Sequence, residues 1–147
     1  MTILSRWVDR RWLILRVTAV SAAVIQAGLL FQSFSRGLDY VASATHGSAI
    51  ISAVDQAIPI HLAGWLFVVF SVLGAVGVFL KRLPLAALSH MAIAVLYAIF
   101  ASSALVDVMT AESTEGWRTG TAWAVAALLH TVLAHVSEDG WRVHRAG

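Results

Sequence analysis

The sequence predicts an all-α membrane protein: a four-transmembrane-helix antiparallel bundle, both termini inside, with a short amphipathic interfacial helix in the first outer loop. Three observations predict it. The 147 residues are 59% hydrophobic and only 12% charged, with a mean hydropathy of +0.81, which is too apolar for a water-soluble domain of this size. Four apolar segments each approach the roughly 20 residues that a helix needs to cross a hydrocarbon core. Finally, the basic residues alternate between the ends of those segments in a way that fixes one orientation.

The first span covers about Leu13–Phe34. Its basic preamble "RWVDRRW" and the small residues of "AVSAA" resemble a signal peptide, but the apolar run continues well beyond an h-region of about 7 to 15 residues. An uncleaved anchor is therefore expected. Gln26 lies inside it near Ala19, Ala22, Ala23, Ala27 and Gly28, and is read as a second intramembrane polar group that bonds across a helix interface.

An outer loop, residues 35–60, follows. Within "HGSAIISAVDQAIP", Ile50, Ile51, Val54 and Ile58 recur at helical spacing while Ser48, Ser52, Asp55 and Gln56 fall mainly on other faces. This is the expected interfacial helix, ended by Pro59. His46 reads as a solvated loop histidine.

The second and third spans, His61–Leu80 and Leu85–Val106, are separated only by "KRLP" and so form a tight antiparallel hairpin. A second outer loop, residues 107–118, leads to the fourth span, Thr119–Ser137. The whole chain, 1–147, is a single integral membrane domain.

With both termini cytoplasmic, the inner face collects Arg6, Arg10, Arg11, Arg16, Lys81, Arg82, Arg142 and Arg145, leaving only Arg36 and Arg118 outside. Lys and Arg flanking the spans are retained inside, which decides the topology. Trp7, Trp12 and Trp141 mark the inner boundary and Trp65, Trp117 and Trp123 the outer one, as an aromatic belt would. The Arg and Ala/Val bias points to a bacterial or phage source, hence to the cytoplasmic (inner) membrane. The arginines flank spans and form no patch with interleaved base-stacking aromatics, so no nucleic-acid partner is expected.

Function enters through two histidines in otherwise uncharged spans. The third span reads Ala86, His90, Ala94, Ala98, Ser102 and the fourth Ala122, Ala126, His130, Ala134, each at intervals of four. Small residues let helices approach closely in lipid, where pressing apolar surfaces together gains little. At 1.5 Å per residue, His90 and His130 lie roughly 8 and 10 Å from the inner ends of their spans, so they are expected to meet. They are read as an interhelical polar clasp, one neutral ring donating and the other accepting, or as a proton-linked pair.

A cofactor reading also remains. His61, His90, His130 and His135 are the possible cofactor ligands, with b-type haem as the group. Against it, a porphyrin between two axial imidazoles needs helices further apart than small-residue stripes imply. Zinc would want three or four ligands, so no metal site is expected. Without cysteine, thiolate nucleophiles and Cys-ligated clusters are excluded. No Walker A loop, GxGxxG, HExxH or GxSxG occurs, and Asp39, Asp55, Asp107, Glu112 and Glu115 with His46 and His61 show no ligand spacing.

The expected function is thus a small non-catalytic membrane protein, an accessory or assembly subunit that packs against other membrane subunits or itself within the lipid bilayer. Alternatives are a self-associating permeabilising protein, and a His-dependent proton-coupled or b-haem redox subunit. In being small, polytopic and nearly devoid of soluble mass, the chain resembles holin-like lysis proteins.

Overall fold

In a computed structural model the described residues are 19–42, 58–110 and 117–146, and all their regular structure is helical. Four helices follow one another: α1 Ala19–Ala42, α2 Ile60–Phe79, α3 Leu83–Thr110 and α4 Trp117–Ala146. Three of these, α2, α3 and α4, are long and apolar enough to cross a membrane. The described part of α1 is not among them, because Gln26, Gln32, Arg36 and Asp39 interrupt its apolar run.

Neighbouring helices run antiparallel, as the residue pairs at their contacts require. Gly37 and Leu30 of α1 meet Gly64 and Gly74 of α2; Gly77 and Gly74 of α2 meet Ala86 and Ser89 of α3. His90 and Phe100 of α3 meet His130 and Trp123 of α4, and Ser33 and Gln26 of α1 reach His130 and Ser137 of α4. The four helices therefore close into a ring with one shared interior. That interior is aromatic at one end, where Tyr40, Phe67, Tyr97, Phe100 and Trp123 touch with ring centroids 4.9–6.2 Å apart. Toward the other end it becomes polar. The outward faces carry Phe31, Trp65, Phe79, Leu88, Leu128 and similar apolar side chains, as helices bathed in hydrocarbon do.

Several boundaries differ from the sequence expectation. Residues 35–42, read as the start of an outer loop, continue α1 for two further turns. Nothing in "SRGLDYVA" breaks a helix, and Gly37 and Tyr40 gain packing partners there. Likewise α3 runs on to Thr110 and α4 to Ala146, since polar residues beyond the hydrocarbon do not end a helix. The expected interfacial helix, apart from Ile58 and Pro59, which are not helical, and His46 fall within residues 43–57, and the first six residues of the first span within 1–18; both segments lie outside the described residues, as do 111–116.

The hairpin between α2 and α3 closes in three residues. Arg82 N–H donates to the Gly77 carbonyl at 2.7 Å and Lys81 N–H to the Val78 carbonyl at 3.1 Å, the paired bonds of a Schellman cap. Lys81 takes the left-handed conformation, φ 54°, that the cap demands. Pro84 sits in the first turn of α3, where no intrahelical donor is lost. Because a side chain at positive φ costs about 1 kcal/mol that glycine does not incur, Lys81→Gly is expected to raise stability in detergent by up to about that amount. Thermal unfolding of the purified variant checks it.

Candidate functional site

The site begins with the heptad spacing of polar residues on three helices. Gln26 and Ser33 on α1, His90 and Tyr97 on α3, and His130 and Ser137 on α4 are each seven apart, so each pair shares one helix face two turns apart. All six are buried, with Ser33, His90, Tyr97 and His130 fully so. The expected pairing is found: His90 Nδ1 and His130 Nδ1 are 2.8 Å apart and the ring centroids 5.0 Å. Two residues that sequence reasoning did not single out complete the cluster. Ser33 Oγ lies 3.2 Å from His130 Nε2 and 3.3 Å from the Tyr97 hydroxyl, and Tyr97 stacks on the His130 ring at 5.7 Å.

Counting protons fixes the direction of every bond. Ser33 has one hydroxyl proton, which it donates to the Leu29 carbonyl one turn back, at 2.9 Å. Its oxygen is left to accept, so His130 Nε2–H and the Tyr97 hydroxyl both donate to it. A neutral His130 protonated on Nε2 has a bare Nδ1, which accepts from His90 Nδ1–H. His90 Nε2 is then a bare lone pair, buried and without a partner. The reversed arrangement would give up the Leu29 bond and bury an unpaired N–H instead, which proteins tolerate less well than an under-used acceptor. The chain therefore runs one way, from His90 through His130 to Ser33, and stops at a main-chain carbonyl.

This geometry separates the sequence readings. Two nitrogens at 2.8 Å leave no space for an iron and its porphyrin between the rings, so His90 and His130 are not placed as opposed axial ligands. His61 is exposed in the first turn of α2, and His135 is exposed on α4 with Nδ1–H donating to the Thr131 carbonyl at 3.0 Å. The four candidate ligands do not converge. Among the described residues no three of His, Asp or Glu are grouped as metal ligands. Gln26 does bond across a helix interface, its Nε2 donating to Ser137 Oγ at 3.4 Å.

The small-residue stripes are only partly buried. Ala86, His90 and Ala94 face inward but Ala98 and Ser102 are exposed; Ala126, His130 and Ala134 are buried but Ala122 is exposed. Steps of four residues turn a helix 400°, so a stripe at that spacing rotates about 40° per step and leaves the interface after two or three. On α1, Ala23, Ala27 and Gly28 are likewise exposed, and the close approach is made by Gly37 instead. Trp123 is not a belt residue on the lipid face: it is buried edge-on against Phe100.

Two substitutions probe the proton count. Ser33→Ala leaves His130 Nε2–H and the Tyr97 hydroxyl without an acceptor, whereas Tyr97→Phe removes a donor from an oxygen that keeps another. Stranding buried donors costs about 1–3 kcal/mol each and losing one satisfied bond about 0.5–1.5 kcal/mol. Denaturation in detergent is expected to rank Ser33→Ala as clearly the more damaging. Equal losses would contradict the directions assigned.

Comparison with known proteins finds no matching family model, no matching curated protein and no matching solved structure.

Proposed function

We propose that the chain is a multi-pass inner-membrane protein with four spans and both termini cytoplasmic, acting as a non-catalytic accessory or assembly subunit. The observation that carries this reading is the closure of the polar network. His130 and Tyr97 spend their donors on Ser33, His90 spends its Nδ1–H on His130, and Ser33 spends its own proton on the Leu29 carbonyl, so the network holds α1, α3 and α4 together. A groove of about 680 Å³ between α1 and α2 is lined by apolar side chains such as Leu30, Phe34 and Val78, with Ser71 the one hydroxyl. It lacks the convergent polar groups that would orient a substrate. The apolar exterior suits contact with lipid or with another membrane helix, through the small-residue surfaces left outside the bundle: Ala98, Ser102 and Ala122.

The test is affinity purification in mild detergent with identification of what accompanies the protein. The expected result is a membrane subunit, or a second copy, in fixed proportion and no Soret band. A lone monomer carrying pigment would contradict the proposal. Permeabilisation fits less well, because aromatic side chains fill the described interior; induction in a bacterium is expected to leave the membrane potential unchanged, and abrupt depolarisation would favour a pore.

The bare His90 Nε2 supports a second reading, a proton-accepting site. It is the one ring nitrogen of the pair that can take a proton without breaking a bond of the clasp. Onward transfer would require Ser33 to rotate away from Leu29, which places this reading behind the first.

A further inference from the structure

A partly buried cluster of donors without an anion lies at the end of the bundle opposite the Gln26–Ser137 pair. Arg36 of α1 is partly buried. Its Cζ lies 5.9 Å from the centroid of the Trp123 ring on α4, and the Tyr40 side chain, one turn further along α1, lies beside it. Neither contact supplies negative charge. A guanidinium is always charged, carries five donors, and when withdrawn from water is normally matched by an oxyanion. The nearest acid along the helix, Asp39, is exposed, and no carboxylate pairs with Arg36 among the described residues.

A second observation points the same way. Trp123 is only 4% exposed and its Nε1–H is buried with no acceptor. An indole nitrogen can only donate. The same cluster thus holds a permanent cation with no carboxylate partner among the described residues and an unpaired N–H, and a phosphate group would offer acceptor oxygens to both. Its depth suits that partner. Exposed Trp65 adjoins Gly64, which packs on Gly37, and exposed Trp117 begins α4 one turn before Gly120; exposed tryptophans at helix ends mark the level of lipid headgroups. Arg36 is also one of only two basic residues that the orientation proposed above leaves outside, so topology does not account for it.

We propose that Arg36, with Trp123 Nε1–H as a second donor, binds a phosphate oxyanion supplied by an anionic phospholipid headgroup seated between α1 and α4. The guanidinium would present two parallel N–H donors to the phosphate oxygens while stacked over the Trp123 ring. The inference rests on the membrane reading, which would fail separately if the protein did not fractionate with membranes.

The experiment is thermal unfolding of the purified full chain in non-ionic detergent, titrated with dioleoylphosphatidylglycerol, with dioleoylglycerol, which has the same chains but no phosphate, and with inorganic phosphate. The expected result is a saturable rise in melting temperature with the phospholipid alone. Arg36→Gln is expected to raise the lipid concentration for half the effect by about ten-fold or more, and Trp123→Phe, which keeps a ring and loses the N–H, by a smaller factor. Should Arg36→Gln fail to fold, Arg36→Lys, which keeps the charge and loses the fork, and Trp123→Phe carry the comparison. An equal, Arg36-dependent rise with inorganic phosphate would keep the oxyanion site but overturn the headgroup as its source. No rise with the phospholipid, a rise matched by dioleoylglycerol, or one unchanged in the folded variants would overturn the proposal.

Discussion

Valine at Gly37 or at Gly64 is expected to unseat α1 from α2 and to be among the most destabilising single substitutions in the described bundle, alongside valine at Gly77, where an added Cβ would lie 2.6 Å from the Ala86 amide nitrogen. Gly37 and Gly64 face each other. A methyl group at Gly37 would lie 2.8 Å from the Gly64 carbonyl oxygen, and one at Gly64 would lie 3.0 Å from the Gly37 carbonyl oxygen. Both obstacles are backbone, so neither can rotate away, and the helices must separate. Overpacking typically costs about 1–3 kcal/mol, and a backbone clash at a crossing belongs at or above the upper end. Separation would also draw Ser33 away from His130, since both contacts are carried by α1. Gly28 provides the control: nothing lies within 4 Å of an added Cβ, so Gly28→Ala is expected to be neutral or to gain up to about 1 kcal/mol of helix propensity. Unfolding in a denaturing detergent series compares the three.

Removing His130 is expected to be clearly worse than removing His90. His130 joins two partners, accepting from His90 and donating to Ser33, whereas His90 contributes one bond and leaves its other nitrogen unused. His130→Ala leaves His90 Nδ1–H buried without an acceptor; with the cavity added, a loss of about 3 kcal/mol is expected. His90→Ala takes away one donor and should cost about 1–2 kcal/mol. The double variant should be less damaging than the sum, because the second substitution removes a group already stranded by the first. Strict additivity, measured as melting temperatures or as free energies in detergent, would mean that the rings are not paired.

The meeting of His90 with His130 was legible from sequence because antiparallel spans joined in succession bring equal depths together, and both residues fall at similar distances from the inner ends of the expected spans. The rest of the cluster was hidden by the choice of period. A spacing of four picks out Ala98, Ser102 and Ala122, which the helical rotation carries outside. A spacing of seven returns to within about 20° of the starting direction and would have joined Ser33 to Gln26, Tyr97 to His90 and Trp123 to His130. The end of α1 was obscured for a different reason. Hydropathy detects where the hydrocarbon stops, whereas a helix stops where caps or breakers end it, so Arg36, Gly37 and Tyr40 were assigned to a loop although they pack on α2, α3 and α4. No single-sequence pattern signals that Gly37 and Gly64, 27 positions apart, lie opposite each other.

The central claim is that the intramembrane histidines form a one-directional clasp ending on Ser33, and ring nitrogen NMR of selectively ¹⁵N-histidine-labelled protein at neutral pH tests it most directly. The account predicts two neutral imidazoles of opposite tautomer: His90 protonated on Nδ1 and His130 on Nε2, with a through-bond coupling between the two Nδ1 atoms. An imidazolium at either position, His130 protonated on Nδ1, or two rings without coupling would contradict it.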